Sequence, residues 1–242
     1  MDITKVTKPA RKVLNLKLKR CGAVIVAAGS ASRMWGIDKV MAPLGNMPLV
    51  AHSIRAFQEC DAVSEIVVVT REDLIVQITN MCKDFPKVTA VVAGGKTRQE
   101  SVHNGLNTLS GKVKLAAIHD GARPLITWQV IDRAVRAANS YGAATPAVPV
   151  KDTIKVAQGG VVKDTPDRKT LYAVQTPQVF DFDLLRAAHK KLVADGAEVT
   201  DDCAAVERMG MSVKIVEGDE ENLKVTTPMD LKIAELLLEG RK

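Results

Sequence analysis

At 242 residues with 46% hydrophobic content, the chain is long enough to bury a sizeable core, and its length is ordinary for one α/β domain. Only 3% of residues are aromatic, so aliphatic packing carries the burial and platforms for stacking nucleic-acid bases are scarce. The net charge of +6 points to nucleic acid only until it is located: residues 1–20 hold seven cations against Asp2, and the rest balances at 27 basic and 27 acidic residues.

In chain order, residues 1–20 read as a basic N-terminal extension that is solvated or weakly attracted to RNA or anionic surfaces, and residues 21–242 as a single domain. The extension lacks the apolar stretch of a signal peptide, and no later run of about 18 apolar residues could span a bilayer. A cytoplasmic protein without a membrane partner is expected. Cys21, Cys60, Cys82 and Cys203 lie far apart with no C-x-x-C pair, as reduced, packed thiols do.

Cys21 to Ala28, CGAVIVAA, is apolar and rich in β-branched residues, and reads as a buried strand of a parallel sheet. Alternation then continues. Helices are expected over Pro48–Cys60, Asp73–Lys83, Thr97–Leu109 and Trp128–Tyr141, with strands at Glu65–Thr70, Val88–Val92, Lys114–His119 and Ala143–Val150. Between Val150 and Tyr172 the rhythm breaks into TIKVA and VVKDT around Gly159-Gly160, a hairpin signal. Such a ribbon, about 151–171, has little core of its own and should lean on another subunit. Helices at Phe182–Ala194 and Asp201–Met209, a strand at Ser212–Glu217 and a helix at Thr227–Glu239 follow, the last started by a Thr cap and Pro228. The fold class is therefore α/β, a Rossmann-like mostly parallel sheet flanked by helices, with a protruding β-hairpin arm.

The chemistry should sit where loops leave the carboxyl ends of the strands, because ligands of open α/β sheets bind there. AAGSASRMWGIDK, Ala27 to Lys39, is such a loop. Its small residues Ala27, Ala28, Gly29 and Ser30 let backbone N–H groups close on an anion, while Arg33 and Lys39 bring positive charge, so phosphate is the natural guest. Neither G-x-G-x-x-G nor G-x-x-x-x-G-K-[ST] is present, and a solvated turn is the alternative. GGKTRQES, Gly94 to Ser101, follows a strand and opens a helix, so its glycines can bring amides close to a flat ring, or it is only a helix start. IHDGARP places Asp120 just past a strand, where a carboxylate can hold Mg²⁺ or merely cap a turn. In DRKTLYAVQTPQVF, Arg168 and Thr176 flank a short apolar strand, and in ENLKVTTPMDL, Lys224 stands just before the terminal helix.

Taken in order, AAGSASRM, GGKTRQESV, HDGARP, PVKDTIK, QTPQVF, TDDCAAVE and NLKVTTPMDL resemble the segments of the 2-C-methyl-D-erythritol 4-phosphate cytidylyltransferases of non-mevalonate isoprenoid synthesis, from about Gly22 to Leu238. The resemblance implies an enzyme that transfers CMP from CTP to a polyol phosphate and releases pyrophosphate. It implies catalytic roles on the triphosphate for Arg33, Lys39 and Lys224, and nucleotide binding by Ala27, Ala28, Gly29, Ser30, Gly94, Gly95 and Ser101. It places Asp120, Arg123, Arg168, Thr176, Thr200 and Lys224 around the polyol phosphate or the α-phosphate, with Asp120 also the metal ligand for Mg²⁺ or another divalent cation. It makes the Asp152–Thr170 arm the dimerisation element of a homodimer. Ribitol-5-phosphate cytidylyltransferases share most of these segments and are the nearest alternative; a non-catalytic nucleotide- or RNA-binding protein using the basic tail is the alternative of another class.

The chemistry implied has a simple physical demand. The nucleophile is already an anionic phosphate and must approach the α-phosphorus of a triphosphate, so the obstacle is repulsion and developing charge, not a missing base. His52, His103, His119 and His189 are then expected in packing or surface roles, with His119 placed to orient Asp120.

Overall fold

The computed structural model describes residues 17–29 and 39–241; Ser30, Arg33 and most of the basic extension lie outside the described residues. Its strands are β1 (Cys21–Ala27), the short pair β2 (Pro43–Leu44) and β3 (Met47–Pro48), β4 (Val63–Thr70), β5 (Val88–Ala93), β6 (Leu115–Asp120), β7 (Ala143–Pro149), β8 (Val156–Gln158), β9 (Val161–Asp164), β10 (Tyr172–Val174), β11 (Gln178–Asp181) and β12 (Lys214–Glu217). The helices are α1 (Leu49–Glu59), α2 (Ile75–Met81), α3 (Arg98–Thr108), α4 (Trp128–Tyr141), α5 (Phe182–Asp195), α6 (Asp202–Glu207) and α7 (Pro228–Glu239).

Among the described residues, eight strands form one sheet in the order β10-β7-β11-β6-β1-β4-β5, with β12 paired to β7. β1 is parallel to both β4 and β6, and β4 is parallel to β5. Pleating sends alternate side chains of β1 to opposite faces: Ala23 and Ile25 enter one core with α1 and α4, Val24 the other with α3 and α5. Both faces are covered, which is why the strand reads as a continuous apolar run.

The sheet is mixed where the sequence signals only parallel alternation. β11 runs antiparallel between β6 and β7, and β10 antiparallel along β7. Gln178–Asp181 is four residues with polar ends, too short for a periodicity to declare it, and tertiary pairing decides its state. Asp73–Lys83 is likewise an α-helix only over Ile75–Met81, with 3-10 turns at Glu72–Leu74 and Cys82–Asp84 on either side. The α7 start is as expected: Thr227 and Asp230 form a capping box with Pro228 in the first turn.

The arm pairs as a short ribbon, Ala157 opposite Val162 and Gln158 opposite Val161, turned by Gly159 and Gly160 at positive φ. Every residue of β8 and β9 is exposed. At the other end, residues 19 and 20 are tied to the body: Lys19 Nζ pairs with Asp181 at 3.0 Å, and the Arg20 carbonyl accepts from Lys114 and Leu115 N–H.

Candidate active site

Sheet order locates the cleft. From β1 the chain moves outward through β4 to β5, then returns to place β6 on the other flank of β1, so the order reverses between β1 and β6 and their outgoing loops diverge. Register aligns the edge: Val26 is opposite Asp120, Ala27 opposite Thr70, and Thr70 opposite Ala93. The loops after β1, β5 and β6 therefore leave one edge side by side.

They enclose a cleft of about 370 Å³ lined by Ala27, Ala28, Gly29, Lys39, Gly95, Ser101, Asp120 and Lys224, together with Lys96, Thr97 and Arg98. Gly94 lies immediately behind this wall. A Cβ there would sit 2.4 Å from Ala28 Cβ and 2.8 Å from Ser101 Oγ, so the loops after β1 and β5 meet only because that residue has no side chain. Ser101 is held on the first turns of α3, where its hydroxyl donates to the Thr97 carbonyl at 2.9 Å and accepts the Gly95 N–H at 3.1 Å. Thr97 caps the helix by accepting from Glu100 N–H.

Asp120 is the last residue of β6 and its side chain is only 13% exposed. Lys224 Nζ donates to Oδ2 at 2.7 Å and Arg98 Nε to Oδ1 at 3.3 Å. Burial pushes the Asp120 carboxyl up, but Arg98 and then Lys224 outweigh it and hold the group well below the ordinary carboxylate range. Lys224 reaches Asp120 because Val225 N–H donates to the Ala122 carbonyl at 2.8 Å, laying the segment before α7 across the turn after β6.

Behind Asp120, its own N–H donates to Thr176 Oγ1 at 3.1 Å, and Thr176 contacts His119 Nδ1 at 3.0 Å. His119 Nε2 faces the Arg123 carbonyl at 3.4 Å. A carbonyl only accepts, so Nε2 carries the proton and Nδ1 takes the Thr176 hydroxyl hydrogen. Burial, which Asp120 only partly opposes, pulls His119 down to about 3 and keeps it neutral. His119 thus orients Thr176 directly and Asp120 through the Thr176 hydroxyl.

The other expected site residues stand apart from the cleft wall. Arg123 turns to the Asn222 carbonyl at 2.7 Å, Arg168 donates to the Lys151 carbonyl at 2.6 Å at the base of the exposed arm, and Thr200 is exposed before α6. Arg98 and its buried partner Asp202 are the residues that sequence reasoning missed. Arg98 lies within the GGKTRQES segment, but its pairing with a carboxylate 104 positions away has no sequence signal.

Among the described residues no group of three or more His, Cys, Asp or Glu side chains could form a metal cage. Mg²⁺ commonly binds through one or two carboxylates plus phosphates and water, and the ionised Asp120 at the cleft edge fits that donor set.

Comparison with known proteins agrees with this architecture. Residues 21–240 match the family model IspD, 2-C-methyl-D-erythritol 4-phosphate cytidylyltransferase. The chain is 48% identical over 225 residues to the 2-C-methyl-D-erythritol 4-phosphate cytidylyltransferase of Caldanaerobacter subterraneus, covering 89% of this chain and 97% of that one. It is 45% identical to the Symbiobacterium thermophilum protein of the same name, over 89% of this chain and 92% of that one. The crystal structure of 4-diphosphocytidyl-2C-methyl-D-erythritol synthase from Anaerococcus prevotii superposes with a TM-score of 0.84 at 29% identity, covering 92% of this chain and 100% of that one. The match over residues 21–240, with relatives 45–48% identical over most of their length, shows that this chain belongs to the 2-C-methyl-D-erythritol 4-phosphate cytidylyltransferase family.

Proposed function

We propose that the cleft transfers CMP from CTP to 2-C-methyl-D-erythritol 4-phosphate, giving 4-diphosphocytidyl-2-C-methyl-D-erythritol and pyrophosphate. The observation that carries the reading is the convergence of Lys39, Lys224 and Asp120 with the small-residue loop and the Gly95–Ser101 turn in one cleft of a chain of this family. The methylerythritol phosphate oxygen forms a bond to the α-phosphorus while the bond from that phosphorus to the β-bridging oxygen breaks, and the electron pair leaves with pyrophosphate. Negative charge gathers on the α-phosphate, and Lys39 and Lys224, with Arg33 from the loop, are the cations that meet it. Gly29 and the neighbouring amides cradle the triphosphate, and Gly94, Gly95 and Ser101 hold the cytosine. Asp120 holds Lys224 in place and receives the polyol phosphate's hydroxyl side, while Thr176 supports Asp120 from behind and Arg123 ties the turn after β6 to the Asn222 carbonyl.

Asp120 would also hold Mg²⁺, which when bound neutralises phosphate charge. The working unit is a homodimer in which the Asp152–Thr170 arm crosses to a second copy and delivers Arg168 toward its cleft. Val161 and Val162 support this, being 60% and 54% exposed on a ribbon with no core of its own. The cytoplasm fits four unpaired, buried cysteines, and no described helix is long and apolar enough to cross a membrane.

The test is pyrophosphate release from CTP with 2-C-methyl-D-erythritol 4-phosphate or ribitol 5-phosphate as acceptor. Turnover with the first and little with the second is expected, and the reverse would reassign the acceptor. Lys39→Ala should lower kcat about 10²-fold or more, since a cation aimed at the transition state matters more there than in binding. Unchanged turnover would remove Lys39 from the mechanism.

A further inference from the structure

We propose that Asp202, backed by His189, is a positioning residue for this reaction: it anchors Arg98 at the cleft and so sets how Asp120 is shared between Arg98 and Lys224. The inference rests on the reading of the cleft as the site of cytidylyl transfer. Arg98 opens α3 and lines the cleft, with its side chain 31% exposed. Its NH1 donates to Asp202 Oδ2 at 2.8 Å and its Nε to Asp120 Oδ1 at 3.3 Å. The shorter contact identifies Asp202 as the anchor and leaves Asp120 more lightly held. Asp202 itself is 2% exposed, with His189 Nε2 at 3.0 Å from its other oxygen. Its N–H donates to Oε1 of Gln178, a residue of β11, so the anchor is fixed to the sheet beside β6.

Charges alternate along this line, from Asp202 through Arg98 and Asp120 to Lys224. A guanidinium is a planar fork able to engage two carboxylates at once, or to close with both N–H groups on one. With Asp202 ionised, the fork is spread across two partners and Asp120 keeps Oδ2 for Lys224. Without that charge, Asp120 is the carboxylate left to Arg98, and a closed pair would cover the oxygens that Lys224 and the incoming substrate require.

The experiment compares Arg98→Ala, Arg98→Lys, Asp202→Asn and the double variant Arg98→Ala/Asp202→Asn in the complete chain, recording kcat and KM for CTP and methylerythritol phosphate and the unfolding temperature. Each single substitution should lower kcat about tenfold or more, as loss of a group that orients a site residue does. On the Arg98→Ala background, Asp202→Asn should cost no more than about twofold further, because both act through one guanidinium. Multiplying losses, or wild-type kcat in Asp202→Asn, would overturn the proposal. Should Asp202→Asn fail to fold, Arg98→Lys decides: a lysine keeps the charge but lacks the fork, so wild-type turnover would overturn the bridge and a tenfold loss at unchanged unfolding temperature would support it. Wild-type chain that releases no pyrophosphate would instead overturn the reading of the site.

Discussion

Asp120 concentrates the electrostatics of the cleft at one residue, and its ionisation is coupled to folding. Burial alone would raise its pKa, so a value held below the ordinary range means that Arg98 and Lys224 together outweigh the desolvation. A carboxyl whose folded value lies below its unfolded one, about 3.9, stabilises the fold above that unfolded value and loses the contribution as pH falls through the folded one. The stability gap between wild type and Asp120→Asn should be flat above about pH 5 and should close as pH falls below about 4, as measured by urea unfolding. A gap independent of pH would show that the two cations do not act through the charge. In the function proposed for the cleft, Ser101 reads the base in the same local way. Its hydrogen is committed to the Thr97 carbonyl and one lone pair to Gly95 N–H, so the remaining lone pair can accept from the cytosine amine but would face the uracil carbonyl oxygen unfavourably. Purine triphosphates should be rejected by size and UTP less completely. Ser101→Ala should narrow the CTP-to-UTP ratio of kcat/KM about tenfold, and an unaltered ratio would move the selection to the backbone alone.

At the scale of elements, the site depends on how closely helices and loops approach the sheet. Gly105 lies at the middle of α3 where it crosses β1 and β4: an added Cβ would come within 2.3 Å of a Val24 methyl and 2.9 Å of a Val69 methyl. Gly105→Ala should therefore destabilise the fold by about 1–3 kcal/mol through overpacking, although alanine is the better helix former. A stable variant with normal melting would show that the helix can lift without cost. Gly94→Ala differs in kind, because the clash is with Ala28 and Ser101 at the cleft wall. The same device, a missing side chain, serves core packing at one position and loop convergence at the other. The α3 helix joins the two roles, with one face on the sheet and its first turn supplying Arg98 and Ser101 to the cleft.

For the whole molecule, the arm is the feature that a single chain does not account for. Ile154, Val156, Val161 and Val162 are each exposed along the arm, and Tyr172 and Val174 are exposed on β10. A two-stranded ribbon with so many exposed apolar residues and no core of its own is what a second copy would cover. In the homodimer proposed above, Arg168 of one copy serves the cleft of the other, and complementation tests that exchange. Lys39→Ala and Arg168→Ala chains should each be nearly inactive, yet regain part of the activity when mixed under subunit exchange, because one of the two sites in a mixed dimer keeps both residues. A monomer by light scattering at assay concentration, or no recovery despite proven exchange, would leave each chain with its own site.

Much of this protein was legible in its sequence because local physics decides it. Apolar runs declared β1, β4 and β6, a Thr-Pro start declared α7, and Gly159-Gly160 declared the ribbon. The small-residue loop, Ser101, Asp120 and Lys224 could be singled out because loops at strand ends carry chemistry in such sheets, and the cleft brings these four together. Tertiary structure alone decided the rest. The four residues of β11 become an inserted antiparallel strand through pairing with β6 and β7, and Arg98 becomes a bridge through Asp120 and Asp202. Strand insertion and ion pairing are contacts between segments far apart in the chain. Their energies depend on which surfaces the finished sheet brings within a few ångströms, a quantity that no local pattern of residue types contains.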